Sequence, residues 1–364
     1  MDRPALKREV ERFDPTLPLS HARTPPATWY TDPAFLRLEQ HAIFRRQWLA
    51  VGALERVAQP GDYLAGRVLD TPYIVVRGED HVLRAFFNVC RHHAAGLLSG
   101  CGRTELITCP YHGWAYGLDG SLQRAPGLSG IRDFKRSEMG LRPLSVEVWG
   151  PLVFIHLDLE PEPLAQRLAP LKAMLDETGW MDLSWTSREH HAVASDWKVY
   201  VDNYLDGGYH VPVLHPGLSD NLDLETYKTE VFDRFSVQYV HSNANDTRIG
   251  PAALYAWIYP NVMLNRYGSV LDVNIVNPRG PAQTEVIFDY WFADVGNEAV
   301  QRVNDQSRAA SAQVQDEDAA ICASVQRGLA SGGYEVGRYA PRYEASAFQF
   351  HQLLRGDFGR FLSI

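Results

Sequence analysis

The chain has few cysteines, no long apolar run and no excess of basic residues. Its 364 residues include only four cysteines, Cys90, Cys101, Cys109 and Cys322, too few for the disulfide framework of a small secreted protein. No run of about 18 or more apolar residues occurs, so we expect no membrane span. The formal net charge is −9, from 35 basic and 44 acidic residues. This balance argues against a nucleic-acid partner, because phosphate binding needs clustered cations.

Two further signals are missing from the sequence. The first residues (MDRPALKREVERFDP) are polar and carry acidic side chains, unlike a secretory or transit peptide. We therefore expect a cytoplasmic protein. No G-x-G-x-x-G fingerprint opens a helix, so we expect no dinucleotide-binding site in this chain.

The length of the chain and the changes in residue pattern along it predict two domains that follow an N-terminal arm. Residues 1–45 are Pro-rich at first and then show helical spacing, and we expect this arm to pack on the second domain. Residues 46–160 alternate short β-branched runs with Gly and Pro turns, which is typical of an all-β module. Residues 161–364 mix strand-like and helical runs.

Residues 298–331 are predicted to form one long helix. Apolar side chains recur along it at spacings of 7, 4, 7 and 4 residues, which keeps them on one face. The stripe consists of Val303, Ala310, Val314, Ile321 and Val325.

The strongest motif is C-x-H followed after 16 residues by C-x-x-H. It comprises Cys90, His92, Cys109 and His112, on two turns of the β module. Two thiolates suit one iron of a [2Fe–2S] cluster and two neutral imidazoles suit the other. A Cys2His2 zinc site is the alternative. Zinc fingers usually pair Cys with Cys and His with His along the chain, so the pattern favours a Rieske cluster.

A second candidate metal site includes His210 and His215. Pro212 disfavours helix at Val211 and should end a helix there, so that His215 folds back toward His210. Two His and one carboxylate form the facial triad of non-haem Fe(II) oxygenases.

The long helix offers three acidic residues for the third ligand. Asp316 falls opposite the apolar stripe and should be solvated, whereas Glu317 and Asp318 flank the stripe on either side. Helical phase alone does not choose between the last two, and a buried ion pair is the structural alternative.

These motifs resemble the α subunits of Rieske oxygenases over essentially the whole chain, and more narrowly the choline monooxygenase branch. The matching stretches are Pro25–Pro33 (PPATWYTDP), Cys109–Gly120 (CPYHGWAYGLDG), Asp202–Pro212 (DNYLDGGYHVP), His215–Leu218, Val325–Leu329 and Val336–Pro341 (VGRYAP).

The resemblance implies an α+β protein: an all-β Rieske [2Fe–2S] domain, then a catalytic domain with an antiparallel sheet flanked by helices. It implies Asp318 as the third ligand of a mononuclear Fe(II), O2 as co-substrate and a flavin- or ferredoxin-type reductase as electron donor. It also implies a homotrimer in which electrons pass between subunits across a bridging carboxylate. Many relatives place that carboxylate where this chain has Gly207, so Asp206 is the candidate bridge and Asp202 the alternative.

A small-molecule substrate of the choline or betaine type, with a quaternary ammonium group, needs aromatic faces around its cation. Candidates on strand-like runs are Trp257, Tyr259, Tyr267 and Trp291, although each fits an ordinary sheet core equally well. The resemblance implies C–H hydroxylation or N-demethylation of such a compound. The alternatives are oxygenation of an aromatic or natural-product substrate, and a non-catalytic [2Fe–2S] electron carrier or redox sensor.

Overall fold

The structure is a computed structural model that describes residues 1–243, 248–293 and 296–364. Its contacts divide the chain into two compact units. The β unit contains Arg45–Lys172, and the mixed unit combines Met1–Phe44 with Ala173–Ile364. The domain limits at residues 45 and 160 stay sequence-based predictions.

The β unit is built from short antiparallel strands separated by Gly and Pro turns. Seven strands pair in the order β1-β10-β9-β4-β3-β2-β5, and three more form a small sheet in the order β6-β7-β8. The strands are β1 Leu49–Ala53, β2 Asp62–Val68, β3 Thr71–Arg77, β4 Leu83–Phe87, β5 Gly100–Arg103, β6 Ile107–Thr108, β7 Ala115–Tyr116, β8 Leu122–Arg124, β9 Pro143–Trp149 and β10 Leu152–His156. Their apolar side chains enclose the two loops that carry the C-x-H and C-x-x-H motifs.

The mixed unit is organised around a seven-stranded antiparallel sheet in the order β11-β17-β16-β15-β14-β13-β12. Its strands are β11 Ser184–Val193, β12 Leu222–Val231, β13 Phe235–Ser242, β14 Ala252–Ile258, β15 Val262–Tyr267, β16 Val270–Gly280 and β17 Gln283–Phe292. The interior strand β16 is buried on both faces from Val270 to Val276. This explains why strand-like hydrophobicity was visible there in the sequence.

Helices flank this sheet, as expected for the α+β class. The helices of the mixed unit include α1 Arg3–Glu11, α2 Thr28–Thr31, α3 Pro33–Glu39, α6 Trp197–Tyr204, α7 Val211–Leu214, α8 Pro216–Ser219, α9 Glu298–Ala330 and α10 Ala345–Leu362. The short helix α4 Leu164–Arg167 belongs to the β unit, and α5 Ala169–Asp176 spans the boundary at Lys172. The N-terminal arm packs on α10, where the rings of Trp29 and Phe358 are 5.2 Å apart. Within the described ranges, no helix combines the length and hydrophobicity that crossing a membrane requires.

Helix α9 confirms the predicted long helix but not its predicted buried face. The stripe residues Ile321 and Val325 are 38% and 44% exposed. The side chains that are buried instead are Asn304, Ser307, Gln315, Cys322 and Gln326. On this inward face Gln315 lines a cavity in the mixed unit, Asn304 accepts a hydrogen bond from Ser269, and Gln326 accepts one from the backbone N–H of Asp196.

Candidate metal centres and the adjoining cavity

Both motif cysteines lie in tight loops of the β unit. Cys90 follows β4, and its carbonyl accepts a hydrogen bond from the N–H of Ala94 at 3.0 Å. Cys109 follows β6, and its carbonyl accepts from the N–H of Gly113 at 3.1 Å. The two thiols are buried, with 3% and 2% exposure. Each loop therefore holds its cysteine in the core.

The two motif histidines lie close together beside these loops. The ring centroids of His92 and His112 are 4.7 Å apart, and His92 stacks on Trp114. Nδ1 of His92 is buried without a hydrogen-bond partner. Burial, together with His93 and His112, lowers the pKa of His92, so the neutral form that binds metal is favoured. Two buried thiols and two adjacent imidazoles fit the Cys2His2 ligand set of a Rieske cluster.

A glycine turn shapes the loop before the second candidate centre. Helix α6 ends at Tyr204, and Gly207 and Gly208 follow with φ of +70° and +75°. A Cβ on Gly207 would approach the carbonyl oxygen of Tyr343 to 2.3 Å, and one on Gly208 would approach the Tyr227 ring to 2.7 Å. Only glycine suits these positions.

The predicted effect of Pro212 is wrong. Pro212 does not end a helix that contains His210. It occupies the first turn of α7, with His210 and His215 at the two ends of this short helix. Proline is favoured there because an N–H in the first turn of a helix has no intrahelical acceptor.

His210, His215 and Asp318 converge in the mixed unit. One ligand atom from each lies within 4.8 Å of the others. Nε2 of His215 is 3.1 Å from Oδ1 of Asp318, and Asn203 donates to that same oxygen at 2.7 Å. The donor set of two imidazoles and one carboxylate fits a mononuclear iron.

Carboxylates hold the far side of both imidazoles. Nδ1 of His210 is 2.6 Å from Asp206, and Nδ1 of His215 is 2.6 Å from Glu317. Both Nε2 atoms are therefore left for a metal. Burial lowers the pKa of His215, but hydrogen bonds to Asp318 and Glu317 outweigh it and raise the pKa overall. Glu317 thus lies behind the His215 ring, on its Nδ1 side, whereas Asp318 lies with His210 and His215 around one point. Helical phase alone did not distinguish these two carboxylates.

The two candidate bridging carboxylates have different partners. Asp206 accepts hydrogen bonds from the backbone N–H groups of Gly208, Tyr209 and His210 in addition to its contact with the His210 ring. Asp202 accepts from the Tyr30 hydroxyl at 2.8 Å. Of these two carboxylates, only Asp206 is hydrogen-bonded to one of His210, His215 and Asp318 in the described part of the chain.

A cavity of about 280 Å³ adjoins the triad. His210, His215 and Asp318 contribute to its wall. Five tyrosines also line it: Tyr200, Tyr204, Tyr227, Tyr255 and Tyr267. The hydroxyl of Tyr204 donates to Asn265 at 2.9 Å, and that of Tyr227 donates to Gln238 at 2.8 Å.

Of the four aromatic residues predicted to line the substrate pocket, Tyr267 does so. The other three lie elsewhere. Trp257 packs against Phe350 of α10 at 5.3 Å, and the Tyr259 hydroxyl donates to Asp357 at 2.6 Å. Trp291 is fully buried, three residues after the cavity-lining Phe288 and so on the opposite face of β17. These three residues are part of the packed core, which was the alternative that the sequence left open. Their predicted place in the substrate pocket is therefore wrong.

Sequence reasoning missed most of the cavity wall. Tyr204 lies within the Asp202–Pro212 motif, so its position before the glycine turn was a usable signal. Asp272 interrupts the apolar run of β16, and a charge inside a buried strand is such a signal too. Tyr200, Tyr227 and Tyr255 carry no comparable local signal.

Comparisons with known proteins agree with these two centres. Residues 47–135 match the model of the Rieske [2Fe-2S] domain, and residues 181–252 and 238–356 match that of the ring hydroxylating alpha subunit catalytic domain.

Choline monooxygenase of Arabidopsis thaliana is 42% identical over 96% of this chain and 86% of its own length. The quaternary ammonium Rieske monooxygenase CntA, solved with L-carnitine, is 30% identical with a TM-score of 0.82, covering 93% of this chain and 96% of its own. A second such monooxygenase structure, described in terms of carnitine oxidation and inter-subunit electron transfer, is 30% identical with a TM-score of 0.84 and the same coverage. This chain belongs to the Rieske non-haem iron oxygenase family, as an oxygenase α subunit with a [2Fe–2S] cluster and a mononuclear iron.

Proposed function

We propose that this enzyme oxidises a carbon bonded to a quaternary ammonium nitrogen. The observation that carries the proposal is the cavity beside the triad, with five tyrosines in its wall. The hydroxyls of Tyr204 and Tyr227 are engaged by protein acceptors. Aromatic faces attract a cation that cannot itself donate hydrogen bonds. The relatives named for choline and carnitine oxidation support the same substrate class.

The cavity volume limits the size of the substrate. At about 280 Å³ it lies near the lower end of small-molecule sites. A compact compound such as choline, glycine betaine or carnitine fits this range.

We propose that His210, His215 and Asp318 hold the iron, and that Cys90, His92, Cys109 and His112 hold the cluster. When bound, the iron supplies the O2 chemistry. The protein's groups orient both imidazoles through Asp206 and Glu317 and fix Asp318 through Asn203. In the net reaction one oxygen atom enters the C–H bond, and the other leaves as water after taking up two electrons and two protons.

The electrons come from a reductase that oxidises NAD(P)H. We propose a cytoplasmic homotrimer in which an electron passes from the cluster of one subunit to the iron of the next. Asp206 is the proposed bridge, since it is hydrogen-bonded to His210. A carrier without an oxygenase centre is disfavoured by the convergence of His210, His215 and Asp318.

A turnover assay tests the proposed substrate class. The enzyme, with both centres filled, is given reductase, NADH and air with choline, glycine betaine or carnitine, and products are identified by mass spectrometry. We expect an aldehyde or a demethylated product from at least one compound, lost in Asp318→Ala and retained in Asp316→Ala, whose side chain is exposed on the same helix. No product from any of them, with both centres shown to be reducible, contradicts the proposed substrate class.

A further inference from the structure

A row of polar residues crosses the sheet beneath the cavity, with Asp272 near its centre. The strand register pairs Asp272 with Asn265 on one side and with Tyr290 on the other. Asn265 in turn pairs with Tyr255, and Tyr255 pairs with Gln238. Directly paired residues share one face of a sheet. Asp272 therefore presents a carboxylate on the face where Asn265, Tyr255 and Gln238 also line the cavity.

Neutral donors hold this carboxylate in place. Asn265 and Asn274 donate their amide N–H groups to Oδ1 at 2.5 and 3.2 Å. The Tyr267 hydroxyl donates to Oδ2 at 3.2 Å. The side chain is only 2% exposed. No basic side chain in the described part of the chain lies within ion-pairing distance of it.

Burial raises the pKa of Asp272, and hydrogen bonds from Asn265, Tyr267 and Asn274 offset part of that rise, which leaves a pKa of about 6. The charged form is therefore favoured above this pH even without an ion pair. Arg248, which also lines the cavity and lies over the Tyr267 ring at 5.7 Å, lowers this pKa slightly as well. A buried carboxylate with neutral partners alone is costly, and such a charge is normally compensated by a cation.

We propose that Asp272 is the counter-charge that anchors the ammonium group of the substrate. This inference rests on the proposed function and deepens it, because it names the residue that makes recognition depend on charge. The tyrosine faces enclose the methyl groups, while the carboxylate supplies the electrostatic attraction. The anchored substrate carries a permanent positive charge close to the carbon that reacts.

The hydrogen-bond directions argue against a metal ion at Asp272. Both Asn265 and Asn274 turn their N–H groups toward the carboxylate. Hard cations such as Ca²⁺ and Mg²⁺ need oxygen ligands instead. The Asn265 amide oxygen is itself taken by the Tyr204 hydroxyl. An organic cation that binds through charge and shape fits this arrangement.

The test compares choline with 3,3-dimethyl-1-butanol, its uncharged analogue of the same shape. Calorimetric titration of the anaerobic holoenzyme, with both metal centres filled, gives the affinity for each compound. In the wild type we expect choline to bind at least about tenfold more tightly than the analogue. In Asp272→Asn that preference should fall by about tenfold or more, with little change in the affinity for the analogue.

Asp272→Asn preserves the hydrogen-bonding shape, because the Tyr267 hydroxyl can accept as well as donate. Asp357→Asn is the matched control. It neutralises another buried carboxylate, 4% exposed, which bonds Tyr259 and does not line the cavity. The control should keep the wild-type preference for choline.

The outcomes separate the anchor from the proposed function. If the wild type prefers choline and Asp272→Asn keeps that preference, the anchor is overturned while the ammonium substrate stands. If the filled wild type shows no preference for the charged compound, the anchor is overturned for choline, and the turnover assay with all three ammonium compounds decides whether the substrate class falls with it. A parallel loss of affinity for both compounds in Asp272→Asn indicates a structural role and also overturns the anchor.

Discussion

At the residue scale, the buried charge of Asp272 lowers the free energy of unfolding of the substrate-free enzyme. Its pKa rises from the usual 3.8 to about 6, chiefly through burial. The folded state therefore binds this proton more tightly than the unfolded state does. The stability contributed by the protonated form is fully present below pH 3.8 and is lost as the pH rises through about 6. At pH 8 the folded, substrate-free enzyme therefore bears the full free-energy cost of burying the ionised Asp272 carboxylate.

Asp272→Asn should therefore stabilise the substrate-free enzyme at pH 8, by about 1–3 kcal/mol. Thermal unfolding at pH 8 and pH 5 measures the effect, and the gain should be smaller at pH 5, inside the titration window. Asp357→Asn should lower the melting temperature instead, since Asp357 lies 3.7 Å from Arg234 in an ion pair. An equal or lower melting temperature for Asp272→Asn at pH 8 contradicts this reasoning.

A motif with fixed spacing lets single residues be proposed from the sequence alone. The proposed cluster ligands Cys90, His92, Cys109 and His112 are of this kind. Glu317 and Asp318 could not be separated by helical phase, because both flank the same face of α9. The structure separates them through His215, which contacts one carboxylate with each ring nitrogen.

At the element scale, the glycine turn between α6 and α7 controls the direction of His210. Gly208→Ala should reduce stability by about 1–3 kcal/mol and weaken iron binding, since a Cβ meets both a positive φ and the Tyr227 ring. Iron content after dialysis and thermal unfolding measure both effects.

Gly328→Ala is the control for this substitution. Gly328 lies within α9, where a Cβ would meet nothing within 4 Å, so alanine there should be neutral or stabilising. A Gly208→Ala enzyme with wild-type iron content and stability would show that the turn does not position His210.

The extents of α9 and of several strands were predictable, but the buried face of α9 was not. The spacing of apolar residues predicts which side of a helix packs against an apolar core. The inward face of α9 instead contributes Gln315 and Asp318 to the wall of the cavity. Strands β11 and β12 are hard to predict from the sequence, because charged and polar residues interrupt them, as in SWTSREHHAV and LDLETYKTEV. Pro212 was misread because the same residue can end one helix or begin the next.

At the scale of the whole molecule, the two centres lie in separate units of one chain. The cluster motif lies in Arg45–Lys172, and the iron triad lies in the other unit. The α+β class, the all-β module and the antiparallel sheet followed from sequence texture together with the family resemblance. The number of subunits and the contacts between them cannot be predicted from the residue pattern of a single chain.

If electrons pass between subunits, a subunit that lacks the cluster and a subunit that lacks the iron should together restore activity in a mixed assembly. Cys90→Ser removes a proposed cluster ligand, and Asp318→Ala removes a proposed iron ligand. Each variant alone should be inactive, and co-expression with two affinity tags should give mixed assemblies with partial activity. Mixed assemblies that remain inactive, with each surviving centre filled, would contradict transfer between subunits.

The most direct test of the central claim is a single turnover without reductase. The enzyme is fully reduced under anaerobic conditions, mixed with choline, glycine betaine or carnitine, and then exposed to O2. We predict oxidised product in an amount that matches the mononuclear iron, together with loss of about one electron per cluster, only when the ammonium compound is present. Cluster oxidation that proceeds equally without the ammonium compound, or gives no product from any of the three, would contradict the account.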